Sequence, residues 1–203
     1  MIKNLVFDFG NVFLNIDIDG AIQNTLNVLK LKEFPEDMIA VNSLYEQGLI
    51  ATNEFIDFYA DNFNHLSKEN IIDTWNFMLK DFPPHRLDFL KNLKKSSQYK
   101  LFLLSNTNEL HIDWVKKHIA FYEDFKNCFH EFYLSHEIKL RKPNDDVFKF
   151  VLNENNIQPE NTLFIDDNSD NTNAAKKSGY QVWNINPENE DVTTLFNTKK
   201  DLF

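Results

Sequence analysis

The chain has 203 residues, a formal net charge of −10 with neutral histidines, and a single cysteine, Cys128. This length suits one domain, or a core domain that carries one inserted subdomain. The acidic balance argues against a nucleic-acid partner, because affinity for a phosphate backbone depends on Lys and Arg. One cysteine cannot form an internal disulfide, and no apolar run has the length of a secretory signal or a transmembrane helix. We therefore expect a cytoplasmic protein with no membrane association.

Short apolar runs predict five β-strands, and helical patterns lie between them. One predicted helix follows Pro83-Pro84 and another follows Pro143-Asn144. Alternating strands and helices, with nearly continuous apolar strands, indicate an α/β fold with a doubly wound, Rossmann-like parallel sheet. The predicted strands are Asn4–Phe7, Lys100–Leu104, Glu131–Leu134, Thr162–Ile165 and Gln181–Ile185.

The segment from Ile18 to Phe82 has a different pattern. Its apolar residues recur at helical spacing, and it contains no convincing strand. We expect it to form a helical cap, residues 18–82, inserted into a core made of residues 1–17 and 83–203.

Polar residues stand at or near the ends of the apolar runs, in four places. Asp8 follows the first strand, Ser105-Asn106 follow the second, Lys142 comes after Leu140-Arg141, and Asp166-Asp167 follow the fourth. In an open α/β sheet, ligands bind beyond the carboxyl ends of the strands, so these residues are expected to meet. A carboxylate, a hydroxyl, an amide, a cation and an acidic pair together suit phosphoryl transfer.

These four motifs carry a family resemblance. The segments DFGNV at 8–12, LSNTN at 104–108, LRKP at 140–143 and FIDDN at 164–168 resemble the ordered motifs of the haloacid dehalogenase-like hydrolases. The resemblance spans nearly the whole chain and includes a helical cap after the first motif. Within that superfamily, DFGNV, LSNTN, YLSHEIKLRKP and IDDNSDN resemble bacterial phosphatases that act on α-D-glucose 1-phosphate.

The resemblance implies a role for each motif. Asp8 would attack phosphorus and form an aspartyl phosphate, while Lys142 would offset the charge of the phosphate and the carboxylates. Ser105, Asn106 and Asn11 would bind the substrate phosphate. Adjacent like charges need a cation, so Asp166-Asp167 indicate magnesium.

Magnesium ligands are expected from the first and fourth motifs. They are Asp8, the carbonyl of Gly10 and the acidic pair, with Asp167 favoured as the direct ligand and Asp166 as the residue that orients it.

One position departs from the resemblance. Most phosphatases of this superfamily carry an Asp two residues after the nucleophile as general acid and base, and here that position is Gly10. Its loss removes a function of about two to four orders of magnitude in rate. An anomeric oxygen leaves more readily than an ordinary alcohol, so a sugar 1-phosphate would suffer least.

The replacement for the missing acid stays open. Asp17, Asp19, Glu46 and His111 are candidates by their place in the chain, and Glu46 and His111 are also candidate substrate contacts. Packing is the more ordinary role for His111, and a helix C-terminus is the more ordinary setting for Glu46.

The sequence therefore predicts a magnesium-dependent phosphatase for a small phosphorylated metabolite, with a sugar 1-phosphate such as glucose 1-phosphate as the favoured substrate. Another small metabolite or a nucleotide is an alternative substrate. A catalytically weak binding protein with the same fold is an alternative from a different class, and Gly10 is the feature that favours it. Dehalogenation is disfavoured, because it does not call for the acidic pair.

Overall fold

A computed structural model describes all of residues 1–203 and contains a five-stranded parallel sheet in the order β3-β2-β1-β4-β5. The predicted fold class is confirmed, and each strand boundary lies within one residue of its prediction. β1 is central and pairs with both β2 and β4. The strands are β1 Asn4–Phe7, β2 Lys100–Ser105, β3 Glu131–Leu134, β4 Thr162–Asp166 and β5 Gln181–Asn184.

Helices cover both faces of the sheet, because side chains alternate between faces along each strand. On β1, Leu5 and Phe7 join a cluster of 27 buried residues on one face, whereas Val6 joins a cluster of 11 on the other. The covering helices are α5 Pro84–Ser96, α6 Glu109–His118, α7 Tyr122–Lys126, α8 Ser135–Ile138, α9 Asp145–Asn155, α10 Ser169–Lys177 and α11 Leu195–Thr198. None of the helices is long and apolar enough to cross a membrane.

Four helices lie between β1 and α5, and they share a separate apolar cluster that includes Tyr45, Phe55 and Tyr59. We call these helices the cap. The last residues assigned to the cap by sequence pack elsewhere, since Leu79 and Phe82 belong to the larger cluster under the sheet. The cap helices are α1 Ile18–Leu29, α2 Glu36–Glu46, α3 Thr52–Asn62 and α4 Lys68–Asn76.

Candidate active site

The centre of the candidate site is a buried lysine between two carboxylates. Lys142 Nζ lies 2.8 Å from Asp8 Oδ1 and donates to Asp166 Oδ2 at 2.7 Å. Asp8 follows β1 and Asp166 ends β4, so the register of neighbouring strands brings them to the same edge of the sheet. Lys142 is only 1% exposed, although its side chain is charged. Burial of a charge is tolerated here because two carboxylates compensate it.

Burial and neighbouring charges shift the pKa values of these groups in a way that suits a cation site. Burial raises the pKa of Asp8 to about 7, against the lowering effect of Lys142, and Asp166 and Asp167 raise it further. Burial alone would lower the pKa of Lys142, but Asp166 and Asp8 outweigh it and raise that pKa. The three carboxylates thus carry more negative charge than one lysine offsets.

The two adjacent aspartates have different surroundings. Asp166 is fully buried, and its oxygens accept from Lys142, from Asn171 Nδ2 and from the backbone N–H of Asn168. Asp167 is partly exposed, and its one side-chain hydrogen bond comes from Asn11 Nδ2 at 2.8 Å. Asp167 therefore retains a carboxylate oxygen without a protein partner, whereas Asp166 does not.

The donor set in this structure fits magnesium. Oxygen atoms of Asp8, Asp166 and Asp167 lie within 4.8 Å of one another. The carbonyl of Gly10, beside them in the chain, accepts no hydrogen bond from the backbone or from a side chain. Hard oxygen donors with an excess of negative charge are what magnesium prefers in proteins. Asp8, Asp167 and the Gly10 carbonyl are the groups with capacity left to hold it.

Two predicted substrate contacts also hold the protein's own structure. Asn11 donates to Asp167 and its Oδ1 accepts from Ile16 N, while its backbone N–H donates to Leu14. Asn106 makes a reciprocal pair with the backbone of Lys142, donating from Nδ2 at 2.8 Å and accepting at Oδ1 at 2.9 Å. Each amide nitrogen keeps a second hydrogen, so substrate contact by both residues stays a prediction.

Ser105 differs from its neighbour Asn106. It ends β2, beside the strand that leads to Asp8, and its hydroxyl makes no side-chain hydrogen bond within the protein. The Ser105 side chain therefore has a free donor at the end of β2.

Gly10 lies in a crowded place. A Cβ atom built at this position would lie 2.9 Å from Ile16 Cδ1, the far end of a flexible side chain, so Ile16 would have to shift to admit a longer residue. This contact could not be predicted from the sequence.

Two of the acidic candidates for a replacement acid lie at the start of α1. Asp17 caps the N-terminus of α1 by accepting from Gly20 N at 2.8 Å, and Asp19 is exposed in the first turn of that helix.

His111 belongs to a buried contact between cap and core. Its ring stacks on Trp75, Nε2 lies 3.2 Å from the Trp75 carbonyl oxygen, and Nδ1 lies 3.2 Å from Asn108 Nδ2. Burial lowers the pKa of His111 to about 4, so the ring is neutral near pH 7. Both ring nitrogens have protein partners, which favours a packing role, and the substrate or proton-transfer role of His111 stays a prediction.

Glu46 lies at the end of α2 and faces the loop that carries Lys142. Its carboxylate accepts from Arg141 at 3.0 Å, and Arg141 also donates to Ser43 Oγ at 3.2 Å. The Lys139 ammonium donates to the Gly48 carbonyl just beyond α2. The sequence offered no role for Arg141 or Lys139, and here they tie the cap to the loop 139–142. Substrate contact by Glu46 stays a prediction.

Comparison with known proteins agrees with this site. The family model described as haloacid dehalogenase-like hydrolase matches residues 5–185. D-ribitol-5-phosphate phosphatase from Bacteroides thetaiotaomicron is 28% identical, and the alignment covers 98% of this chain and 100% of that protein.

Solved structures of the same family are similar to this chain in sequence and fold. A haloacid dehalogenase family enzyme from B. thetaiotaomicron, in complex with magnesium and inorganic phosphate, is 33% identical with a TM-score of 0.83, covering 97% of this chain and 100% of that one. A predicted hydrolase of the same type from Porphyromonas gingivalis, 23% identical, shares the fold with a TM-score of 0.83 and 98% coverage of both chains. This chain therefore belongs to the haloacid dehalogenase-like hydrolase family, as its motifs predict.

Proposed function

We propose that this chain hydrolyses a small phosphomonoester through an aspartyl phosphate formed on Asp8. The observation that carries the proposal is the Asp8 carboxylate, held 2.8 Å from a fully buried lysine at the carboxyl edge of the sheet, with oxygen atoms of Asp166 and Asp167 within 4.8 Å. The predicted class, a phosphoric monoester hydrolase, and magnesium as its cofactor are confirmed by the family match and the relatives.

The residues divide the work as follows. Asp8 attacks phosphorus as the bond to the leaving oxygen breaks, and water later attacks the same phosphorus to release phosphate and regenerate the carboxylate. Lys142 holds the Asp8 oxygen in place and offsets charge beside it. The Ser105 hydroxyl is free to donate to a phosphate oxygen. Asp166 acts through Lys142, and Asn106 fixes the backbone of that lysine.

Asp8, Asp167 and the Gly10 carbonyl would hold magnesium. When bound, the ion supplies a positive charge that neutralises phosphate oxygens and orients the phosphoryl group. Asn11 orients Asp167 for this role, since its amide donates to one carboxylate oxygen and leaves the other uncommitted.

A sugar 1-phosphate such as glucose 1-phosphate is the substrate we propose. Gly10 supports this choice, because it supplies no acid for the leaving oxygen and Ile16 fills the adjacent space. An anomeric leaving oxygen depends least on such an acid. Resemblance of the four motifs to glucose 1-phosphate phosphatases points to the same substrate.

A phosphate ester of a polyol is the second candidate, because the similar B. thetaiotaomicron enzyme is named for D-ribitol 5-phosphate. Its leaving group is a primary alcohol, which gains more from an acid than an anomeric oxygen does. For such a substrate, a cap residue such as Glu46 would have to supply the proton. Burial raises the pKa of Glu46, against the lowering effect of Arg141.

Phosphate release from a small panel tests the proposal. The panel contains glucose 1-phosphate, glucose 6-phosphate, ribitol 5-phosphate and a nucleoside monophosphate, each with magnesium and with EDTA. We expect glucose 1-phosphate to give the highest kcat/KM, and no turnover in EDTA. Turnover of ribitol 5-phosphate above that of glucose 1-phosphate would select the second candidate, and no turnover of any ester would refute hydrolysis.

Two variants test whether phosphate release depends on Asp8. Asp8→Asn keeps the shape of the side chain and removes the nucleophile, so phosphate release should cease. Asp145→Asn changes a carboxylate of the exposed pair with Lys149, and it serves as the matched control with unchanged activity. Normal turnover by Asp8→Asn would remove Asp8 from its role.

Leaving-group dependence tests the Gly10 reasoning separately. Aryl phosphates of similar shape and graded leaving-group pKa should show rates that fall as that pKa rises, when chemistry is rate-limiting. Rates that stay level would mean that another group donates the proton, and the case for an anomeric leaving group would then depend on sequence resemblance alone.

A further inference from the structure

The cap contains a cavity that the proposed chemistry does not use. Its volume is about 190 Å³, and eleven of its fourteen lining residues are hydrophobic. It lies between α1 and the other cap helices, where Ala21 and Thr25 face Phe55, Ile71 and Trp75. The cavity is partly open to solvent, since two of its lining residues, Ile18 and Ile22, are exposed.

The walls of the cavity offer little to a polar ligand. No lining residue is charged. The Tyr59 hydroxyl donates to Asn42 Oδ1, the Thr74 hydroxyl donates to the Asn70 carbonyl, and Trp75 Nε1 donates to Asn108 Oδ1. The Thr25 hydroxyl and the Asn42 amide nitrogen make no hydrogen bond within the protein, and they are the main polar groups left for a ligand. A sugar or polyol has more hydroxyls than these two groups can bond, so the cavity favours a less polar guest.

The size of the cavity fits a compact apolar group. An engineered apolar cavity of about 150 Å³ is known to stay dry and to bind benzene. A cavity of about 190 Å³ has room for one aromatic ring system of the size of benzene or indole. Aromatic residues on its wall, Phe55 and Trp75, offer ring faces and edges for such a guest.

The cavity wall is also connected to the candidate active site. Trp75 bonds to Asn108, which caps the N-terminus of α6 three residues after Ser105. At the other end, Met78 lines the cavity and its carbonyl accepts from Asp17 N at 2.8 Å, in the segment that leads from Gly10 into the cap. A guest that moves this wall would act on both segments that flank the phosphate site.

We propose that the cap cavity binds an uncharged apolar group about the size of benzene or indole. The group has two possible sources: a free small molecule, or the apolar part of a phosphate ester whose phosphate lies at Asp8. The chemistry of recognition is the same for both.

Calorimetry and thermal unfolding with benzene and with indole test the binding. We expect both probes to bind the wild-type chain and to raise its Tm. Ala21→Leu places three more carbons in the cavity. It should weaken the binding of both probes by about tenfold or more, a loss of about 1.4 kcal/mol or more in binding free energy. Ala40→Leu makes the same substitution at an exposed position of α2 and should leave binding unchanged.

If Ala21→Leu does not fold, Thr25→Leu fills the same space from the next turn of α1. Failure of the wild type to bind either probe would overturn the proposal. Equal binding by the wild type and the filled variant would also overturn it, because the probes would then occupy another place.

Kinetics separate the two sources, and this arm rests on the proposed phosphatase activity, whereas the binding arm does not. If the cavity receives the apolar part of a substrate, indole should raise KM for 4-nitrophenyl phosphate and not for glucose 1-phosphate, and Ala21→Leu should do the same. If it receives a free effector, indole should change kcat or KM for both esters by the same factor.

Discussion

Replacement of the buried lysine by methionine is the sharpest test of how the site is held together. In Lys142→Met, the carboxylates of Asp8 and Asp166 lose a partner at 2.8 Å and 2.7 Å, where the Asp166 side chain is fully buried and that of Asp8 is 13% exposed. Removing one partner of a buried ion pair costs about 3–5 kcal/mol, because the remaining charge is left uncompensated. Total stability of a domain is about 5–15 kcal/mol, so the loss is a large fraction of it.

Urea unfolding of the metal-free protein measures this loss, and the chain offers a matched control. Lys68 lies 2.5 Å from Asp57, closer than Lys142 lies to either carboxylate, but this pair is on the surface, with the lysine side chain 60% exposed. Lys68→Met should leave stability nearly unchanged, because exposed ion pairs contribute little. The comparison separates the effect of burial from the effect of distance.

A second substitution tests the cause of the loss. Adding Asp166→Asn to Lys142→Met removes one of the uncompensated charges, so the double variant should be more stable than the sum of the two single losses predicts. Interaction energies of contacting residues are about 0.5–3 kcal/mol. Strictly additive losses, or equal losses for Lys142→Met and Lys68→Met, would refute the charge-compensation reasoning.

Two further outcomes are expected. Asp167→Ala should shift the magnesium dependence of phosphate release to higher magnesium concentrations more than Asp166→Ala does. The reason is that Asp167 keeps a free oxygen, while the oxygens of Asp166 are fully bonded. A magnesium titration with the opposite order would exchange the two roles. Burial would raise the pKa of Asp191, but hydrogen bonds from Thr193, His85 and Arg86 outweigh it and hold that pKa well below its usual range. The contribution of the Asp191 carboxylate to stability is therefore complete above its pKa of about 4 in the unfolded chain. This contribution is lost as the pH falls toward the pKa of Asp191 in the folded protein. Urea midpoints of the wild type should fall between about pH 5 and pH 3 more steeply than those of Asp191→Asn, and parallel curves would contradict this assignment.

The strands and the position of Asp8 at the edge of the sheet could be predicted from the sequence because local signals decide them. The run before Asp8 and the run before Asp166 are apolar enough to occupy the centre of a sheet covered on both faces, and parallel register then brings their ends together. The starts of the helices at Pro84 and Asp145 could be predicted from equally local signals, since each lies in or after a proline-containing stretch.

Contacts that depend on the docking of distant segments could not be predicted in this way. Asn106 and Lys142 are 36 positions apart, and Arg141 and Glu46 are 95 positions apart. An asparagine after a strand is suited to bind a phosphate, a backbone or both, and its contact with a backbone here depends on the position of the lysine loop. The contact of His111 with Trp75 likewise depends on how the cap docks.

The ties from Lys139 and Arg141 to the cap have a consequence for how this protein can change. Both side chains reach Gly48 and Glu46 of the cap from the loop that also presents the buried lysine. A cap without a carboxylate at position 46 would leave Arg141 without its ion pair, and the loop that presents the lysine would lose that contact. An exchange of the cap that preserves the contact therefore has to include residue 141, so new specificity in this scaffold requires coordinated changes in segments that are far apart in the sequence.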